Sequence, residues 1–242
     1  MKLTIIITVY NEKNTILKAI ADAEAIAVDK EIIIVDNCSV DGTREILRDL
    51  KPGPGTRIIF QPKNYGYGQS VITGSSEANG EFIYMQYSDL EYDIECVYRM
   101  LEIAEKENLD IVFGSRLYNK RSGSLAKASI IKQRPYYLGT LITTFLVNLF
   151  FKRNFTDIIG VRLYRASSFS KIAIDSGDLY FDFEAISKFC KAGFKIREIP
   201  VSYKPRKKGK KVKPWGIFPA VFKIFKVKFS NRPIFKTGIN LK

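Results

Sequence analysis

The segment QYSDLEYD, residues 86–93, follows an apolar run and places Asp89, Glu91 and Asp93 within five positions. If the chain stays extended there, residues two apart face the same way, and these carboxylates share a face with Tyr87. Carboxylate oxygens are the ligands that Mg2+ and Mn2+ prefer, commonly one or two from protein with the rest from substrate phosphates and water. Asp89 and Glu91 suffice for that. A phenol with a pKa of about 10 makes Tyr87 a poor ligand. An acidic turn closing a strand would use the same residues, so both readings stand on this segment alone.

Other residue types narrow the chemistry. Histidine is absent, which removes Ser-His-Asp and Cys-His nucleophiles, His-ligated zinc and an imidazole base. Cys38, Cys96 and Cys190 are scattered and odd in number, which suits reduced thiols in a cytosolic setting better than a disulfide framework. What remains is carboxylates, cations, backbone amides and a hard metal ion.

The elements that must position these groups alternate along the first half. LTIIITV, EIIIVD, RIIF, EFIYMQY and DIVFGS read as strands. Helical patterns stand between them near residues 16–26, 43–50, 69–78 and 94–107. Short, continuously apolar strands separated by helices predict an α/β fold with a mostly parallel sheet covered on both faces. Ligands in such sheets sit beyond the carboxyl ends of the strands. Those ends carry Tyr10-Asn11-Glu12, Asp36-Asn37 and the acidic segment, so Glu12, Asp36 and Asp89 are expected at one edge.

The second half differs. Sixteen residues, 136–151, pass without a charge, fewer than the roughly 18–20 that span a bilayer. They predict a buried helix or one in the membrane interface. FKIREIPVSY reads as a further strand before the basic run KPRKKGKKVK. Trp215, Phe218, Phe222, Phe225 and Phe229 then recur at helical spacing among lysines, a pattern suited to a membrane surface or to packing on the protein's own core. The net charge is +14, and thirteen Lys and Arg with no Asp or Glu lie in residues 199–242. A near-neutral body with a basic end points to an anionic partner. Charges at Glu12, Lys13 and Lys18 interrupt the apolar start, so no signal peptide is expected.

VYNE after the first strand, IIIVDNCSVDGT at the second, NYGYGQSVITG before the fourth and QYSDLEYD after it resemble family 2 glycosyltransferases of the GT-A fold. FTDIIGVRLYR, FDFEAISKFCKAGFKIREIPVSY and PRKKGKKVKPW resemble the branch with dolichyl-phosphate mannose synthase and related polyprenyl-phosphate sugar transferases. The likeness runs in order over roughly residues 3–215 and implies a GT-A, Rossmann-like domain over 1–205. Residues 1–115 would form the nucleotide-sugar half, 116–205 the acceptor half, and 206–242 a basic, amphipathic, interfacial tail. It implies that Tyr10, Asn11 and Glu12 line the nucleotide, with Asp36 on its base or ribose beside Asn37. Asp89 would hold the Mg2+ or Mn2+ that bridges the donor diphosphate, with Glu91 as a further ligand. Asp157 and Arg162 would lie near the acceptor and reacting sugar, Glu184 beneath the donor sugar, and Arg206 and Lys211 on phosphate.

This chain departs from the family pattern at three places. Tyr87 stands for the first acid of Asp-x-Asp, Asn37 for the second Asp of VDD, and the stretch from Asp157 to Arg162 is one residue tighter. A working but weaker metal site is therefore expected. The implied activity is inverting transfer of a hexose from a GDP-mannose or UDP-glucose type donor to a polyprenyl phosphate. A lipid phosphate is already ionised at neutral pH; a hydroxyl acceptor would need a base, for which Asp157 is the candidate. Transfer to a hydroxyl and a degenerate, non-catalytic protein are the alternatives, with nucleic-acid binding through the basic tail a distant one and no nucleic-acid partner expected. The expected location is cytoplasmic, peripheral on the cytoplasmic face of an anionic membrane, with a separate membrane subunit as an optional partner.

Overall fold

The computed structural model describes residues 1–118, 137–205 and 216–236. Seven strands form one sheet in the order β3-β2-β1-β4-β6-β5-β7. They are β1 (Leu3–Val9), β2 (Lys30–Asp36), β3 (Thr56–Phe60), β4 (Phe82–Tyr87), β5 (Ile111–Ser115), β6 (Arg162–Arg165) and β7 (Ile196–Pro200). The described helices are α1 (Ile16–Glu24), α2 (Thr43–Asp49), α3 (Tyr67–Ser76), α4 (Cys96–Lys106), α5 (Tyr137–Phe151), α6 (Ala166–Phe169), α7 (Phe181–Lys191) and α8 (Ile217–Phe229). All pairings are parallel except those of β6, which runs against both β4 and β5.

The apolar runs follow from burial on both faces. Along β1 and β2, Ile5, Ile7, Ile32 and Ile34 face one core with Ile16 and Ile20 of α1 and Val97 and Met100 of α4. Their neighbours Ile6, Ile33 and Val35 face a second core with Val71 of α3, Val147 of α5, Phe181 and Phe189 of α7 and Ile224 of α8. A strand covered on both sides has no polar face to alternate with.

Strand order reverses about β1, whose neighbours are β2 on one side and β4 on the other. Their registers pair Val9 with Asp36 and Thr8 with Tyr87, so all three carboxyl ends finish level. This switch point is where open α/β sheets leave a crevice for a ligand.

Two features depart from expectation. The sequence patterns do not mark β6 as a strand: it is four residues long and carries an arginine at each end. The chain also does not stay extended through the acidic segment. It turns at Ser88 and Asp89, and Leu90 adopts a left-handed φ of 58°. Asp93 is consequently exposed at the entry to α4, where its Oδ1 accepts the Glu95 N–H at 3.1 Å.

Helix α5 is unusual in what it hides. It buries Thr140, Thr143, Thr144 and Val147, while Leu138, Ile142, Phe145 and Leu149 are exposed. Thr143 donates to the Gly139 carbonyl at 2.8 Å, and Thr144 Oγ1 accepts the Ile158 N–H at 3.3 Å. Helix α8 packs beside α5, with the Phe150 ring edge-on to Phe225 at 4.9 Å. It exposes Phe218, Phe222, Phe225 and Phe229.

Candidate active site

The loops after β1 and β2 are laced together by side chains meeting backbone. Asn11 takes a left-handed φ of 56°. Its N–H donates to Ser39 Oγ at 3.0 Å and its Oδ1 accepts the Val40 N–H at 2.8 Å. The Glu12 N–H donates to Thr43 Oγ1 at 2.9 Å, and the Glu12 carbonyl accepts the N–H groups of Thr15 and Ile16, which starts α1. Tyr10 and Glu12 lie partly exposed on this edge.

Asp36 ends β2 fully buried. Its Oδ1 accepts the Ser39 N–H at 3.1 Å, and Arg44 Nη1 approaches Oδ2 at 3.2 Å without the alignment of a hydrogen bond. A buried carboxylate oxygen short of an aligned donor suits an incoming N–H or hydroxyl. Asn37 is committed to the fold instead. Its Nδ2 donates to Asn64 Oδ1 and its Oδ1 accepts the Tyr65 N–H, both at 2.9 Å, which fixes the loop before α3.

At the end of β4, Ser88 Oγ donates to the Thr8 carbonyl at 3.1 Å, locking this turn to β1. Asp89 is half-buried, and its Oδ1 accepts the Glu91 N–H at 3.2 Å. Glu91 is buried, and its Oε2 accepts the Tyr203 hydroxyl at 2.6 Å. Among the described residues no three His, Cys, Asp or Glu gather as a metal cluster. Asp89 and Glu91 are two hard carboxylates at the switch point, a chemistry that fits a divalent cation taking its other oxygens from water and a diphosphate.

Tyr87 does not project as a third acid would. Its ring stacks on Tyr67 with centroids 6.0 Å apart, and its hydroxyl accepts from that of Tyr67 at 3.4 Å. Arg162, on β6, is buried and pairs through Nη1 with Asp182 Oδ1 at 2.7 Å. Burial pushes the Asp182 carboxyl up, and Arg162 and the Tyr87 hydroxyl offset part of that.

Glu184 lies elsewhere. Two residues along a helix is about 200°, so Asp182 and Glu184 of α7 point to opposite sides. Glu184 accepts the N–H groups of Asp175 and Ser176 at 3.0 and 2.9 Å and pairs with Lys188 at 2.6 Å. It braces the 175–176 segment, while Asp182 faces Arg162. FDFE shows both acids but not the helix phase that separates them.

Asp157 is fully buried and bound by Arg116, which follows β5. Arg116 Nε and Nη2 donate to its Oδ2 and Oδ1 at 2.6 and 2.9 Å; the Arg116 N–H reaches Oδ2 at 3.1 Å and the Ile159 N–H reaches Oδ1 at 3.0 Å. Burial pushes this carboxyl up, but Arg116 and the N–H donors more than offset it, leaving it below the usual value. Such a carboxylate is a poor proton acceptor. The Arg116 guanidinium also lies over the rings of Tyr137 and Tyr203, 5.2 and 5.4 Å from their centroids. Composition and motif reading passed over Arg116, Asp182 and Tyr203; the position of Arg116 immediately past the DIVFGS strand was the available signal.

The structure thus joins three of the expected residues, Arg162, Glu91 and Asp157, into one seam, apart from the strand-end loops that carry Tyr10, Asn11, Glu12, Asp36 and Asn37. Rings of Tyr67, Tyr87, Tyr92 and Tyr203 follow one another at 6.0, 5.6 and 5.0 Å. Asp182 and Arg162 sit at one end, and Glu91, Arg116 and Asp157 at the other. Arg206 and Lys211 lie outside the described residues.

A family model described as glycosyl transferase family 2 matches residues 4–173. The low-salt glycan biosynthesis hexosyltransferase Agl6 of Haloferax volcanii is 26% identical over 208 residues, 84% of this chain and 48% of that protein. The dolichol-phosphate mannosyltransferase of Pyrococcus furiosus is 31% identical over 139 residues, 57% of this chain and 37% of that protein. The chain spans about half the length of these curated relatives, or less. A crystal structure of Mycobacterium tuberculosis glucosyl-3-phosphoglycerate synthase with Mn2+, UDP and glucosyl-3-phosphoglycerate shares the fold at a TM-score of 0.64 and 14% identity, covering 94% of this chain and 80% of that one. The S. aureus TarS fragment with UDP-GlcNAc does so at 0.58 and 16%, covering 94% and 66%.

Proposed function

The chain belongs to glycosyl transferase family 2, and on that premise we propose that it moves a hexose, with inversion, from a nucleoside-diphosphate sugar to a polyprenyl phosphate at a membrane surface. The observation that carries this is the level finish of β2, β1 and β4 at the switch point, which sets Asp36, Asn11 with Glu12, and Asp89 with Glu91 along one edge. Asp36 would take the base or ribose, and the laced loops of Asn11 and Glu12 would wall the nucleotide. Asp89 and Glu91 would hold Mg2+ or Mn2+. A bound divalent ion supplies charge neutralisation to a departing diphosphate.

Asp157 bears on the class of acceptor. Transfer to a hydroxyl needs a group to take its proton, and both Asp157 oxygens are already occupied by N–H donors. A phosphate monoester with a second pKa of about 6 attacks as an anion and needs no base. Its oxygen forms the new bond to the anomeric carbon while the bond to the nucleoside diphosphate breaks. The relative from P. furiosus, a dolichol-phosphate mannosyltransferase by name, supports this class. Arg206 and Lys211, shortly beyond Lys204, would meet phosphate, since charge-assisted bonds to phosphate oxygens are strong.

No described helix is long and apolar enough to cross a membrane. The exposed apolar sides of α5 and α8, with Lys223, Lys226 and Lys228 among the phenylalanines, suit peripheral attachment to an anionic cytoplasmic leaflet. A separate membrane subunit would fit the same face.

Incubation with radiolabelled GDP-mannose or UDP-glucose, Mg2+ or Mn2+, and polyprenyl phosphate tests the proposal. Label should enter the organic phase as a lipid-linked sugar. Transfer to a hydroxyl acceptor with none to the lipid would refute it.

A further inference from the structure

The acidic turn is tied to the segment that leads into the basic run. Tyr203 and Lys204 lie just beyond β7, with Arg206 two residues further on. Three contacts make the joint: the Tyr203 hydroxyl donates to Glu91 Oε2 at 2.6 Å, the Lys204 N–H donates to the Glu91 carbonyl at 2.7 Å, and Tyr92 and Tyr203 form an isolated antiparallel bridge. The Tyr203 ring is held independently of its hydroxyl. Tyr92 lies 5.0 Å from it and the Arg116 guanidinium 5.4 Å from it. The hydroxyl therefore contributes something the ring does not.

A Glu side chain has three torsions, and a carboxylate that must meet a cation gains from having one oxygen fixed. We propose that Tyr203 is a positioning residue that orients Glu91 for the divalent cation and so couples occupancy of the cation site to the placement of the segment entering the basic run. This rests on the reading that Asp89 and Glu91 hold the ion. Coupling of this kind is reciprocal: if the Tyr203–Lys204 segment aids the cation, the cation steadies that segment.

Tyr203→Phe isolates the hydroxyl, because the ring and its stacking remain. Binding of Mn2+, followed by loss of the free-ion spin-resonance signal with and without UDP or GDP, should be weaker in this variant by about 10-fold or more. In a Glu91→Gln background the same change should add less than about twofold, since its route runs through the carboxylate. Hydrogen exchange at the Tyr203 and Lys204 amides should slow on Mn2+ addition in the unsubstituted protein and stay unchanged in Tyr203→Phe. Unaltered Mn2+ affinity in Tyr203→Phe, an equal loss in the Glu91→Gln background, or identical Mn2+-induced protection in both proteins would each overturn the proposal. Failure of the cation reading itself shows separately, as no Mn2+ uptake by the unsubstituted protein with either diphosphate, and removes the proposal with it. A thermal midpoint close to that of the unsubstituted protein establishes that Tyr203→Phe is folded.

Discussion

Arg116 and Asp157 form a buried ion pair with three N–H groups of one residue on the carboxylate of the other. Removing one partner leaves a charge in a place that water does not reach, so Asp157→Asn or Arg116→Ala should lower stability by about 3–5 kcal/mol in denaturant titrations. The pair also sets an acid response. The folded Asp157 carboxyl lies below its unfolded value of 3.8. Its contribution is complete above that value and is withdrawn as pH falls through it toward the folded value. Asp157→Asn should flatten this part of the acid unfolding curve; an unchanged slope below pH 4 would show that other carboxyls govern it. Asp157 itself was legible from FTD, because its place in a motif needs no geometry. Arg116 was not, since an arginine after a strand looks the same whether it meets solvent or a buried acid.

Strands β1, β2 and β4 could be seen in the sequence because burial on both faces makes them unbroken apolar runs. Strand β6 could not: RLYR gains its strand form only by fitting antiparallel between β4 and β5. What permits that fit is Gly160. A Cβ there would stand 1.5 Å from the Gly114 carbonyl oxygen, a backbone atom that cannot swing aside. Gly114 in turn donates its N–H to the Val161 carbonyl at 2.8 Å. Gly160→Ala should therefore force β5 from the chain entering β6 and cost at least about 1–3 kcal/mol. Because Arg162, Asp157 and Arg116 all hang on these two segments, the variant should also weaken the seam under the acidic turn. Wild-type stability by thermal and denaturant melting would show that the strands part without cost.

At the scale of the whole chain, thirteen positive charges and α8 share the stretch 199–242, and α8 packs beside α5, with Phe145 exposed at 63% and Phe222 at 65%. Sequence periodicity showed the α8 phenylalanines, but not that α5 buries Thr140, Thr143 and Thr144 and turns Leu138, Phe145 and Leu149 outward; that choice depends on hydrogen bonds such as Ile158 to Thr144. If the protein attaches as proposed, two attractions toward an anionic bilayer operate, and they respond differently to salt. Each Lys or Arg near the surface contributes about 1 kcal/mol, through a field whose reach shrinks from about 10 Å at about 0.1 M salt to about 3 Å at about 1 M. Burial of phenylalanine in the interface is nearly salt-independent. Flotation with anionic vesicles should accordingly fall steeply as salt rises yet level off above zero. The paired substitution Phe222→Glu with Phe145→Glu should abolish that plateau while sparing Mn2+ binding at the strand ends. A plateau that survives both substitutions would place the apolar contact on another face, and a salt-insensitive curve would remove the basic segment from the attachment.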